Sequence, residues 1–399
     1  MGAIKKAVSD INNWVLPEGI EELLPDEALR LEKIRRDLID LFASWGYQFV
    51  IPPLIEFLDS LLAGTNSELA LQTFKLTDQI SGKTLGIRAD MTPQIARMAA
   101  HHIKKCDAPV RLSYLGTVLH ARGAQIEKSR SPIQLGAELY GSQHIKSDVE
   151  IIQLMLEVLA VSAIQHVHLD LGHVGVYRGL AQQAGLTTSQ EGELLDVLQR
   201  KSSDEVVELL ETYKLDKKWV NVFVQLLQLN GDVTVLEQAK KVLKLGDASV
   251  QQAIEELQEI AALLQQSYPS LPLYFDLAEL RCYRYQTGVV FAAFVPGFGS
   301  EIARGGRYDN LMIEQGEQVR SATGFSADLK VLTRLMAVIL DEQAKEIILA
   351  PDVLDENLQG LIRELRTAGK TVIMQLPDSS KQPNHTALIA KVNDKWSVS

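Results

Sequence analysis

The chemistry of this sequence rests on polar residues set inside apolar extended runs. Residues 133–139 read Ile-Gln-Leu-Gly-Ala-Glu-Leu, with Gln134 and Glu138 four apart. On a strand that spacing points both side chains to one face of the sheet. A carboxylate is seldom buried without a partner, so Glu138 is either a salt-bridged structural group or an acceptor turned toward a ligand. Arg281 and Arg284 lie within Glu-Leu-Arg-Cys-Tyr-Arg-Tyr-Gln over 279–286, just before an apolar run at 287–294. A guanidinium entering the face of a sheet suits a bidentate clamp on a carboxylate or phosphate, and suits equally a pairing with Glu138 or Glu279. Asp90 and Thr92 add an acceptor and a hydroxyl at the end of a predicted strand; the alternative is an N-cap for a helix starting near Pro93. Gly305-Gly306-Arg307-Tyr308-Asp309 reads as a glycine-hinged turn that lays an aromatic ring against a ligand. No phosphate-binding glycine loop, dinucleotide fingerprint, zinc-protease motif or nucleophile elbow is present.

These residues need elements to hold them. Apolar positions Leu29, Leu31, Ile34, Leu38, Ile39, Leu41 and Phe42 recur at helical spacing, with Gly46 at the C-cap, and predict a helix over 25–45. A short strand at 47–51 stops at Pro52-Pro53. Extended runs at 110–118 and 133–140, joined by the polar stretch 121–130, predict a long antiparallel hairpin. A helix over 147–163 and a strand over 166–171 follow, then a block over 174–267 with helical period and no proline, an inserted helical subdomain. Strands are predicted at 273–276, 287–294 and 301–303, and a helix at 326–340. The tail reads as strand 346–350, helix 356–368, strand 371–375 and a last strand near 386–392, a small α/β appendage.

Composition excludes several classes. A chain of 399 residues, 46% hydrophobic and 23% charged, buries a large core and divides into two or three domains. No run reaches the roughly 18 apolar residues that span a bilayer, and the first ten residues lack an apolar signal region, so a cytoplasmic protein with no membrane partner is expected. Cys106 and Cys282, without ligand spacing, predict neither a disulfide framework nor a zinc site. A formal charge of -11 disfavours nucleic acid as the main partner.

Taken together and in order, these segments resemble the catalytic core of histidyl-tRNA synthetase, a class II synthetase, over roughly residues 15–340. The region around Pro53, the hairpin at 114–141 and the stretch 324–332 look like the three class II motifs. Gln134–Glu138, Tyr285-Gln286-Thr287-Gly288 and Gly305–Asp309 resemble stretches peculiar to the histidine-specific family. The resemblance implies an α+β fold with a six-stranded antiparallel sheet flanked by helices, the core taking 1–173 and 268–340, the insertion 174–267 and the appendage 341–399. It also implies a histidine site. Asp90 and Gln134 would hold the α-amino group with Thr92 beside them, Arg281 the α-carboxylate and Glu138 an imidazole N–H; Tyr308 would close over the ring, and Tyr285 and Gln286 complete the set. Family members carry Glu where Asp90 stands and a second Tyr where Gln286 stands, two departures that bear on the ligand's pose.

Two further departures bear on catalysis. The family's arginines for the α- and γ-phosphates of ATP align with His120 and Val331. Loss of one preorganised donor typically costs about 3 kcal/mol, a factor of about 100 to 1000 in rate, so adenylation is expected to be negligible. Arg122 or Arg130 is placed to substitute for the first arginine and no residue for the second. The tail after Asp341 is also short for an anticodon-binding domain. On these grounds the sequence is similar to the synthetase-like regulatory subunits that partner the short form of ATP phosphoribosyltransferase. That resemblance implies a non-catalytic chain that activates the catalytic subunit, binds L-histidine as feedback inhibitor, needs no cofactor or metal, and forms homodimers within a hetero-octamer. The alternatives are a divergent active synthetase and an amino-acid or tRNA sensor for another partner.

Overall fold

Pro25 in the first turn, with Asp26 and Glu27 beside it, suits the positive end of a helix, and Pro25–Ser44 is one. Leu31, Ile34, Leu38 and Phe42 form its buried stripe. Trp45 caps it, and Gly46 follows at φ +80°, a conformation glycine adopts without strain. The computed structural model describes residues 15–63, 67–102, 108–122, 129–278, 286–309, 321–336, 347–376 and 384–399, in two compact units, Met1–Ala337 and Val338–Ser399.

In chain order the strands are β1 (Gln48–Val50), β2 (Ile55–Phe57), β3 (Phe74–Thr77), β4 (Thr84–Ile87), β5 (Val110–Thr117), β6 (Ile133–Tyr140), β7 (His168–His173), β8 (Asn230–Gly231) and β9 (Leu273–Asp276). They continue as β10 (Val289–Phe294), β11 (Ala303–Tyr308), β12 (Ala322–Asp328), β13 (Ile347–Ala350), β14 (Thr371–Met374), β15 (Ala387–Val392) and β16 (Lys395–Val398). The large sheet runs β1-β5-β6-β12-β11-β10-β7-β9-β8. From β5 to β7 its six central strands are antiparallel throughout, as the class II resemblance implies. Parallel strands β1 and β9 extend it at either side. Of a second sheet, β2-β4-β3, the sequence reading holds only β4, the strand that ends before Asp90.

The helix Ile145–Val161 packs on the large sheet through Ile151, Ile152, Met155 and Leu159, in one apolar cluster with Leu38 and Phe42. The helices of 174–267 join that same cluster through residues such as Tyr177, Leu198, Phe223 and Leu257. Their starts are chemically marked: Thr187 and Gln190 make a capping box, and Ser202, Asp216 and Asp247 cap the next helices. In the second unit the sheet is β14-β13-β15-β16, and Leu358 and Ile362 of the helix Glu356–Thr367 bury against Ile348, Val372 and Ile389. β16 was not expected from the sequence.

Three expectations are corrected. Gly305 to Asp309 is not a turn; residues 303–308 are β11, in the centre of the sheet. The strand expected at 301–303 therefore begins where that reading ended. The helix expected over 326–340 is shorter, Leu329–Leu335, because Ser326 belongs to β12 and Asp328 is the N-cap, accepting from Lys330 N.

Candidate functional site

The site is assembled where β4 ends over the middle of the large sheet. Arg88 is buried; its Nε donates to Thr117 O at 2.9 Å and its Nη1 to Pro52 O at 2.8 Å, fixing the segment that carries Asp90. Asp90 Oδ1 accepts from Thr92 N, the first residue of the helix Thr92–His102, at 3.0 Å, one position before where an N-cap would sit. The same oxygen accepts from Gln134 Nε2 at 2.8 Å, and Gln134 Oε1 accepts from Met91 N, also at 2.8 Å. Asp90 and Gln134 are thus locked together at the cleft wall.

Glu138 is the hub. It is 1% exposed, and its partners among the described residues are hydroxyls rather than a cation. Tyr308 donates to Oε2 at 2.6 Å, Thr92 to Oε1 at 3.0 Å and Tyr114 to Oε1 at 3.1 Å. Tyr140 stands 3.1 Å behind the Tyr308 hydroxyl. Burial pushes the Glu138 carboxyl up to about 8; the three hydroxyls oppose that rise, and the Asp90 carboxylate adds to it. Burial, with the nearby Glu138 charge, also holds Tyr114, Tyr140 and Tyr308 well above the usual tyrosine range. Without ligand the hub carboxyl therefore holds its proton to much higher pH than an exposed glutamate does. Tyr114 and Tyr140 were missed by the sequence reading, although Tyr140 lies two residues beyond Glu138 and so shares its face.

Glycines make the room. Gly324 is the cross-strand partner of Glu138, and a Cβ there would lie 1.6 Å from Glu138 Oε2. A Cβ on Gly136 would lie 2.5 Å from the Tyr114 hydroxyl. Tyr308 is held from behind by its neighbour Arg307, whose Nη2 bonds Asp148 Oδ2 at 2.8 Å and Ser147 Oγ at 2.9 Å. That buried pair ties β11 to the first turn of Ile145–Val161.

A cleft of about 800 Å³ opens over this floor, lined by Asp90, Thr92, Gln134, Glu138, Gln286 and Tyr308. Six of the eight predicted residues thus meet on one cavity; Arg281 and Tyr285 lie outside the described residues. The cleft continues past His120, Arg122, Ser129 and Val331. His120 Nε2 is 3.0 Å from Ala89 O, and Val331 presents only carbon. Arg130 donates to His120 O and Glu18 O and lies over the Phe74 ring, so it is committed to the loop; of the two, Arg122 is the one that lines the cleft. Among the described residues no cluster of metal-ligating side chains occurs, and no helix is long and apolar enough to cross a membrane.

The six antiparallel strands and the hydroxyl-ringed glutamate define a class II fold of the histidyl-tRNA synthetase type. The family model for histidyl-tRNA synthetase matches residues 19–332, and that for the ATP phosphoribosyltransferase subunit HisZ C-terminal domain matches 345–399. The ATP phosphoribosyltransferase regulatory subunit of Methylococcus capsulatus is 56% identical over 92% of this chain and 90% of its own. That of Ectopseudomonas mendocina is 48% identical over 98% and 99%. A solved ATP phosphoribosyltransferase regulatory subunit/histidyl-tRNA synthetase from Bacillus halodurans superposes with a TM-score of 0.80 at 26% identity, covering 92% of this chain and 94% of that one. The histidyl-tRNA synthetase of Nostoc shares the fold, with a TM-score of 0.74 at 18% identity over 92% and 87%. The chain belongs to the family of ATP phosphoribosyltransferase regulatory subunits.

Proposed function

We propose that this chain is a non-catalytic regulatory subunit that binds L-histidine in the cleft over Glu138 and controls a short-form ATP phosphoribosyltransferase catalytic subunit. In this reading the partner enzyme is active with the subunit bound, and histidine reverses the activation, giving feedback on the first step of histidine biosynthesis. The chain works in the cytoplasm as a homodimer within a hetero-octamer, with L-histidine as its regulatory ligand and no cofactor or metal.

The observation that supports this most is the division of the cleft. Its inner half keeps three groups suited to a ring-bearing amino acid: Asp90 for an ammonium group, Glu138 for a ring nitrogen and the Tyr308 ring as a wall. Its outer half, where a synthetase places arginines on ATP phosphates, presents His120 and Val331. The lining also includes Asp170, Asp276, Glu301 and Asp328, of which Asp276 pairs with Lys201 at 2.7 Å and Glu301 with Arg304 at 3.0 Å.

Retained recognition without phosphate clamps fits a sensor rather than an adenylating enzyme. Coupling of such a site to a partner subunit is typically worth about 1 to 3 kcal/mol, or roughly 5- to 150-fold in affinity. The test is calorimetry with L-histidine beside histidine-dependent ATP–pyrophosphate exchange. Saturable binding without exchange is expected; exchange at synthetase-like rates, or no binding, would overturn the reading.

A further inference from the structure

The segment 88–97 carries Asp90 and Thr92 to the cleft, while its longer polar side chains are bonded to the chain around β2. Gln94, 1% exposed, donates through Nε2 to Pro53 O and to Glu56 Oε1, both at 2.8 Å. Arg97 Nη2 ion-pairs with that same Glu56 oxygen. Arg88 donates from its side chain to Pro52 O and from its main-chain N to Leu54 O, the latter at 3.1 Å. β2 and β4 pair alongside, with Glu56 opposite Gly86. The segment that feeds the cleft is thus moored to residues 52–56, and Glu56 is the charged member of that mooring.

None of Glu56, Gln94 and Arg97 lines the cleft, and the Glu56 side chain is nearly buried. Burial lowers the pKa of the Arg88 guanidinium, and the Glu56 charge opposes that fall. One carboxylate therefore balances Arg97 by contact and Arg88 through space. Arg88 precedes Asp90 by two residues and Gln94 follows Thr92 by two. Without the Glu56 charge the segment around Asp90 would hold two guanidiniums uncompensated, an arrangement that burial makes costly and that disfavours a cation nearby.

Resting on the histidine reading above, we propose that Glu56 is a positioning residue for the ligand's ammonium group, acting through Gln94, Arg97 and Arg88 to set the place and the charge balance of Asp90. Glu56 itself touches no ligand. Its effect falls on the ammonium end of the ligand, because the segment it moors supplies the aspartate.

The test is calorimetry on the full chain with L-histidine and with imidazolepropionate, which lacks the ammonium group, using wild type, Glu56→Gln and Glu56→Asp. Hydrogen exchange of the wild type, with and without L-histidine, accompanies it. Wild type is expected to bind histidine at least about tenfold more tightly than imidazolepropionate. Glu56→Gln should lose about tenfold or more in histidine affinity and bind imidazolepropionate nearly as wild type does, a split that general loosening of the fold does not produce. Glu56→Asp, which keeps the charge, should recover most of the preference. In the wild type, histidine should slow amide exchange in 54–57 as well as in 88–97, because the two segments share these bonds. Absence of histidine binding by wild type overturns the ligand reading and this one with it. Normal wild-type binding, with Glu56→Gln losing nothing or losing equally for both ligands, overturns the role of Glu56 alone. So does slowing confined to 88–97, a result that needs no variant to fold.

Discussion

Replacing Glu138 with glutamine removes a titration that the fold makes costly. In the folded, ligand-free chain burial lifts this carboxyl from 4.5 to about 8. Below about pH 4.5 it is protonated in both folded and unfolded chains. Between about 4.5 and 8 the unfolded chain has released the proton and the folded chain still holds it. The folded state then binds more protons, so stability falls as pH rises through this window and levels off above it. The whole change is on the order of 5 kcal/mol, since a tenfold change in proton affinity is worth about 1.4 kcal/mol. The glutamine amide of the variant cannot titrate and keeps most of the shape and the hydroxyl partners. Denaturant unfolding of both proteins at a series of pH values should show the wild type losing several kcal/mol relative to Glu138→Gln between about pH 5 and 8. Saturating histidine should flatten the difference, because the ligand supplies a partner for the charge. A difference that stays constant across the window would refute the reasoning.

Gly324→Ala would place a Cβ 1.6 Å from Glu138 Oε2 and 2.8 Å from Ala137 O, so the carboxyl must leave the Tyr308 hydroxyl. About 1 to 3 kcal/mol of stability should be lost with histidine affinity, read by thermal melting and calorimetry. Arg307→Met leaves Asp148 buried without its cation and should cost about 3 to 5 kcal/mol in denaturant unfolding, near the upper end of single substitutions. Tyr308→Phe removes a bond that lowers the Glu138 pKa, so the fall in stability should keep its onset and extend to higher pH before levelling off; an unchanged upper end would show the hydroxyl to be uncoupled.

How far the sequence speaks for itself depends on whether a signal is local. The stripe Leu31, Ile34, Leu38 and Phe42 announced its helix because burial on one face dictates that spacing. Gln134 and Glu138 stood out as polar positions in an apolar strand, and both line the cleft. The Gly305-Gly306 pair misled, since adjacent glycines ordinarily mark a turn. Here they clear space for neighbours: Phe291 Cζ lies 2.5 Å from where a Cβ on Gly305 would be, and Gln286 Nε2 2.6 Å from one on Gly306. That requirement comes from the partner strands and leaves no trace in the local pattern. Tyr114 joins the site through its register with Gly136, a pairing the sequence does not encode locally. β12 was not read from the sequence at all, although Asp328 is an ordinary N-cap residue for the helix that follows it. Arg281 and Tyr285 rest on the family resemblance and lie outside the described residues.

The measurement that bears most directly on the central claim is turnover by a short-form ATP phosphoribosyltransferase catalytic subunit, alone, with this chain, and with this chain plus L-histidine. The account predicts that the chain raises turnover and that histidine reverses the gain, with the reversal lost in Glu138→Gln. Turnover unchanged by the chain, or a gain that histidine does not touch, would contradict it.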